Sequence, residues 1–185
     1  MKFVLATFVP VVLLCTSGLA HSQEPPAATP EHKWLEKFVG NWESKSSAPA
    51  GPDGEAIECT GTANYRKIGD LWVVCDVTGD VAGSQFQAVQ TIGYDPKSKV
   101  YVGTWVDSMW NHLWQYKGKV DESGNKLLLE AEGPNPMDAG KTAKFRDSYE
   151  FDGPDHIIVR AEIMSDDGKW VEMMRGDMQR VKEKD

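Results

Sequence analysis

Polar and apolar positions alternate along most of this chain, in short runs separated by turn residues. Lys144, Arg146, Ser148 and Glu150 oppose Ala143, Phe145, Asp147 and Tyr149; Ile157, Val159, Ala161 and Ile163 oppose His156, Ile158, Arg160 and Glu162. A period of two is the mark of a strand with one dry face and one wet face. Ten runs of this kind are predicted as strands: Asn41–Ser47, Ile57–Ile68, Leu71–Gly79, Gln85–Tyr94, Lys99–Asp107, Trp110–Val120, Lys126–Glu132, Ala143–Phe151, His156–Met164 and Trp170–Val181. Gly69-Asp70, Asp95-Pro96-Lys97-Ser98, Ser108-Met109, Asp121–Asn125, Gly153-Pro154-Asp155 and Asp166-Asp167-Gly168 supply the turns between them. Such short connections favour antiparallel neighbours in sequence order, and that many strands curl and close to remove their edges. Ahead of them, Glu31–Val39 reads as a short helix with Trp34, Leu35 and Phe38 on one stripe, stopped by Gly40. The fold expected is all-β: an up-and-down antiparallel β-barrel of about ten strands with a short N-terminal capping helix.

The 185 residues amount to about one domain. Residues 1–20 read as a secretory signal peptide: Met1-Lys2, an apolar run from Phe3 to Cys15, then Gly18-Leu19-Ala20 as the cleavage site. Cleavage after Ala20 is the first choice and after Ser22 the second. Residues 21–30 read as a disordered linker, including the tether Gln23–Pro30, and residues 31–185 as the barrel domain. No later stretch reaches the roughly 20 apolar residues of a membrane-spanning helix. The protein is therefore expected to be exported, to a periplasm or beyond the cell. Removing Lys2 leaves 19 Lys+Arg against 28 Asp+Glu, a net charge of −9. That balance disfavours nucleic acid and anionic membrane as partners. Export permits a Cys59–Cys75 disulfide, but a Gly69-Asp70 turn would pair Cys75 with Asn64 and set the two thiols on opposite faces, leaving the pairing open.

Chemistry-bearing residues concentrate between Thr91 and Gly118. Tyr101, Gly103, Trp105 and Asp107 share one face of their strand; Trp110, His112, Trp114 and Tyr116 share one face of the next. Turned inward, these would line a cavity with indoles and two polar handles, suited to a flat or apolar ligand. The opposite face, Val100, Val102, Thr104 and Val106, is apolar enough to be the interior instead, and parity alone leaves both open. Asp107 and His112 flank the Ser108-Met109 turn and could act as an acid–base pair or as polar groups facing a ligand. Arg146 and Arg160 are candidate anion handles, against the alternative of charges on a wet face. Asp147 breaks a purely apolar interior. Glu130, Glu132, Glu150 and Glu162 read as a solvated face rather than a glycosidase pair, and Met173, Met174 and Met178 as core. No His, Cys or carboxylate cluster has metal-ligand spacing, so no cofactor is expected.

Phe38-Val39-Gly40-Asn41-Trp42-Glu43 after a short helix resembles the opening signature of the calycins, the lipocalins and fatty-acid-binding proteins; Met178-Gln179-Arg180-Val181 is similar to their final strand. In a closed barrel Arg180 would stack on Trp42. A fuller resemblance is to the bacterial family called domain of unknown function 1579. It is carried by Leu71-Trp72-Val73-Val74, Thr91-Ile92-Gly93-Tyr94-Asp95-Pro96, Tyr101-Val102-Gly103-Thr104-Trp105-Val106-Asp107-Ser108 and Lys141-Thr142-Ala143-Lys144-Phe145-Arg146-Asp147. That resemblance implies a calycin-like barrel and brings no activity with it. The haem-binding nitrobindins open on Gly-x-Trp-x-Gly-x-Gly, whereas Ser44 and Ser46 stand here, and the last strand lacks their His. Haem is not expected, His112 and His156 being the only candidate ligands.

These readings converge on an exported, non-enzymatic barrel binding a small apolar or aromatic ligand, through Trp105, Asp107, His112, Trp114 and Tyr116 with Arg146 or Arg160. A barrel-mouth enzyme using Asp107 and His112, or a filled barrel serving as a structural or interaction protein, are the alternatives. Oligomeric state is not legible.

Overall fold

The computed structural model describes residues 26–49, 54 and 56–182; the predicted signal peptide and the first half of the predicted linker lie outside the described residues. Helix α1 (Pro30–Trp34) begins one residue before its expected start. Pro30 occupies the first turn, where a missing N–H costs nothing, and the Thr29 N–H donates to His32 Nδ1 at 3.0 Å. The helix stays α for one turn only; Leu35–Phe38 tightens into a 3-10 turn. At three residues per turn Leu35 and Phe38 eclipse each other, and both are fully buried.

Ten strands follow among the described residues: β1 (Gly40–Ala48), β2 (Ile57–Ile68), β3 (Trp72–Val81), β4 (Ser84–Asp95), β5 (Val100–Asp107), β6 (Trp114–Val120), β7 (Lys126–Pro134), β8 (Thr142–Phe151), β9 (His156–Met164) and β10 (Trp170–Arg180). Each pairs antiparallel with its sequence neighbours, and β1 pairs with β10, so the sheet closes with no free edge. This is the up-and-down antiparallel barrel expected from the alternation and turn spacing.

One end of the barrel is plugged. Phe38 stacks on Tyr65 at 5.0 Å and meets Tyr149 and Phe151 edge-on. Trp42 is fully buried beneath them, its Nε1 donating to the Phe38 carbonyl at 2.7 Å. Burying Leu35, Phe38 and Trp42 contributes roughly 2–3 kcal/mol each. The Arg180 guanidinium lies 4.1 Å from the Trp42 ring centre, as the closing strand was expected to place it. It also donates to the carbonyls of Val39 at 2.5 Å, Lys37 at 2.8 Å and Pro154 at 3.1 Å. Trp34 completes the plug by donating Nε1 to the Gly124 carbonyl in the β6–β7 turn.

Two expectations about register are corrected. The β2–β3 connection takes in Leu71 as well as Gly69 and Asp70, so Ile68 pairs with Trp72 and Cys75 faces Tyr65 rather than Asn64. Cys59 faces Val81 and therefore shares the interior face with Cys75. The two remain free because six residues of β2, about 20 Å, separate their rungs. The second correction concerns β6, which begins at Trp114 and not at Trp110. Residues 108–113 form a loop across the open end, because Asp107 Oδ1 accepts the backbone N–H groups of Met109 at 2.7 Å and Trp110 at 2.9 Å. A carboxylate that captures two N–H groups withholds them from a ladder.

Candidate functional site: an aromatic cavity with a buried carboxyl

The open question of face is resolved by pairing. Trp105 sits opposite Gln90 on β4 and Trp114 on β6, while Gly103 sits opposite Ile92 and Tyr116. Gln90 and Ile92 are fully buried, so Tyr101, Gly103, Trp105 and Asp107 face the interior and Val106 faces solvent. At the end away from the helix Trp105 and Asp107 help to enclose a cavity of about 380 Å³. Trp105, Trp110, Trp114, Phe145, Met173 and Met174 give it apolar walls, and Asp107, Tyr116, Asp147 and Tyr149 supply polar groups. Trp114 meets Phe145 edge-to-face at 4.9 Å. Gly133 on β7 makes room for that indole: a Cβ there would collide with the Trp114 ring.

A hydrogen-bonded layer separates the cavity from the plugged end. Tyr65 donates to Gln90 Oε1 at 3.2 Å, and Gln90 Nε2 donates to the Tyr149 hydroxyl at 2.8 Å. Tyr116 donates to Asp147 Oδ2 at 2.5 Å. Desolvation holds the Tyr65, Tyr116 and Tyr149 phenols well above their usual range, so all three stay protonated donors. Burial also pushes the Asp147 carboxyl up, to about 6, and the Tyr116 hydrogen bond offsets part of that rise. Asp147 retains some accessible surface because it opens on the cavity, but protein atoms surround it on every other side.

The residues expected from sequence divide into three groups. Trp105, Asp107, Trp114 and Tyr116 line the cavity together. His112 stands behind its wall, with its ring 4.7 Å from Trp114 and its Nε2 3.4 Å from the Glu132 carbonyl. It shares no hydrogen bond with Asp107, whose Oδ2 accepts from Trp105 Nε1 at 2.8 Å and whose Oδ1 holds the loop. The second candidate histidine, His156, lies between Asp152 and Asp177, which raise its affinity for a proton.

Arg146 and Arg160, expected as candidate anion handles, form the third group, and both guanidiniums are held by carboxylates. They alternate with inward-facing Asp147, Val159 and Ala161, which puts them on the outer wall. Arg146 binds Glu162 at 2.7 Å and covers the Trp170 ring at 4.3 Å. Arg160 borders the cavity, but its guanidinium donates to Glu150 at 3.1 Å and reaches Glu172 at 3.8 Å. The site residues that the sequence reading left out include Asp147, Phe145, Tyr149, Ala161 and Met174. The signal for Asp147 was its place between Phe145 and Tyr149 on the apolar face.

Comparison with known proteins agrees on the fold. Rv2717c from M. tuberculosis superposes with a TM-score of 0.58 at 12% identity, covering 84% of this chain and 100% of its own. The S-type phycobiliprotein lyase CPES from Guillardia theta superposes with a TM-score of 0.56 at 14% identity, covering 83% of this chain and 94% of its own. At such identities only the barrel is shared. No curated protein matches the chain in sequence. The profile of the family described as protein of unknown function DUF1579 matches residues 27–180, nearly the whole described barrel, and the chain belongs to that family.

Proposed function

We propose that this protein is an exported, non-enzymatic carrier or sensor that holds a small, largely apolar or aromatic ligand in its barrel. One observation carries the reading: the barrel is packed solid at the helix end but opens at the other into a cavity of about 380 Å³ walled by indoles. Ligand cavities commonly occupy about 300–1,000 Å³, with apolar walls and a few convergent polar groups. The N-terminal pattern of Met1–Ala20 supports export. Against an acid–base enzyme built on Asp107 and His112 stands the geometry of the two: Asp107 is taken up in positioning Trp105 and the mouth loop, and His112 stands outside the cavity.

Trp105, Trp110 and Trp114 report on occupancy directly. An apolar probe added to the purified mature protein is expected to quench tryptophan emission and saturate. Unchanged emission across a panel of lipids, haem and aromatic compounds would overturn the proposal.

A further inference from the structure

The ligand's chemical class follows from which polar groups in the cavity are still available, and this step rests on the ligand-site reading above. The ionisable side chains bordering the cavity are Asp107, Tyr116, Asp147, Tyr149 and Arg160. Arg160 is held by Glu150 and Glu172 on the outer wall. Asp107 has both oxygens occupied, by Trp105 Nε1 and by the Met109 and Trp110 N–H groups. Tyr149 accepts from Gln90 and keeps its own O–H as a neutral donor, and Tyr116 spends its proton on Asp147. Asp147 is different: among the described residues Tyr116 alone donates to it, through Oδ2, and its Oδ1 has no donor.

We infer that the ligand is an aromatic or apolar amine, whose N–H group meets Asp147 Oδ1 while its body lies among Trp105, Trp114 and Phe145. A carboxylate with a single hydrogen bond, out of bulk water, gains most from a cation or a strong donor. Indole faces on the same walls add attraction for a positive charge. The raised affinity of Asp147 for a proton is the same deficit seen from the other side. A fatty acid or other anion would bring a further negative charge into a low-dielectric space that already holds Asp107 and Asp147, where among the described residues the one bordering cation, Arg160, is paired with Glu150 and Glu172. The acidic interior thus disfavours the anion that Arg146 or Arg160, read as candidate handles, would have held.

Three probes of nearly equal shape separate the possibilities: 1-naphthylmethylamine, 1-naphthoate and 1-methylnaphthalene, titrated calorimetrically at about pH 8, where the carboxyl is ionised and the amine protonated. The amine should bind at least about tenfold more tightly than the carboxylate. Asp147→Asn should remove about tenfold of the amine's affinity and leave the hydrocarbon within about twofold, which also shows that the variant is folded. Naphthoate binding as tightly as the amine in the wild type, or an amine preference that survives Asp147→Asn, would overturn the inference and leave the ligand site standing. Failure of all three to bind would overturn the ligand-site reading and this inference with it.

Discussion

Tyr116 and Asp147 meet inside the barrel at 2.5 Å, although β7 lies between the strands that carry them. The contact lies where β6 and β8 both point inward, and burial there raises the Asp147 pKa while the Tyr116 hydrogen bond offsets part of the rise. The Asp147 pKa of about 6 lies above the roughly 3.9 of an unfolded aspartate. The folded state therefore holds this proton more tightly. Its cost is absent below about pH 4, grows between about pH 4 and 6, and is complete above that range.

The full cost is at most about 3 kcal/mol, and less to the extent that cavity water solvates the carboxylate. Asp147→Asn should therefore be more stable than wild type at about pH 8, and the gap should close towards pH 4. Urea unfolding of both proteins across that range tests this. Parallel curves would contradict the assignment.

Arg180 holds the plugged end through three carbonyls and the face of Trp42. Arg180→Ala should cost about 2–4 kcal/mol, since it strips charged donors from partly buried carbonyls. Arg180→Lys should recover little of this, because one ammonium cannot reproduce a planar fork that also stacks. Denaturant midpoints of the three proteins provide the comparison, with the two variants expected to lie close together.

On the outer wall, Arg146 and Glu162 form an ion pair with about a fifth of each side chain exposed. Arg146→Ala should lower stability by roughly 1 kcal/mol, through the lost pair and the uncovered Trp170. It should leave probe affinity within about twofold, because the guanidinium does not enter the cavity. A large loss of affinity would return Arg146 to the ligand site.

Cys75 is fully buried and its thiol is pushed up to about 12. It should resist a thiol reagent at neutral pH until the protein unfolds, while half-buried Cys59 reacts faster. Mass mapping of the alkylated sites under native conditions distinguishes the two. Rapid labelling of Cys75 would imply that the base of the barrel opens.

The strands, their order and the closure were legible because alternation and turn chemistry are local properties. Even the pairing of Arg180 with Trp42 followed, once closure joined the first strand to the last. The start of β6 was not legible. Trp110 looks like strand, and only the folded Asp107 shows where its N–H is spent. The turn after Ile68 misled for a similar reason: Leu71 is apolar, yet it belongs to the connection. The direction of Trp105 could not be settled, because Val100, Val102 and Val106 make the other face of β5 equally apolar. That ambiguity also hid the character of the site, since the inward carboxyl of Asp147 and the outward guanidinium of Arg146 are neighbours in sequence and opposite in consequence.

Ala161 offers the most direct test, since it is small, lies on the cavity wall and sits opposite Asp147. Ala161→Phe would fill much of the space without touching the plug at the other end. The decisive measurement is a calorimetric titration of 1-methylnaphthalene into wild type, Ala161→Phe and Arg146→Ala. Binding at one site in wild type and Arg146→Ala, with a loss of at least about tenfold in folded Ala161→Phe, is the predicted result. Equal affinity in all three, or none in wild type, would contradict a ligand held inside the barrel.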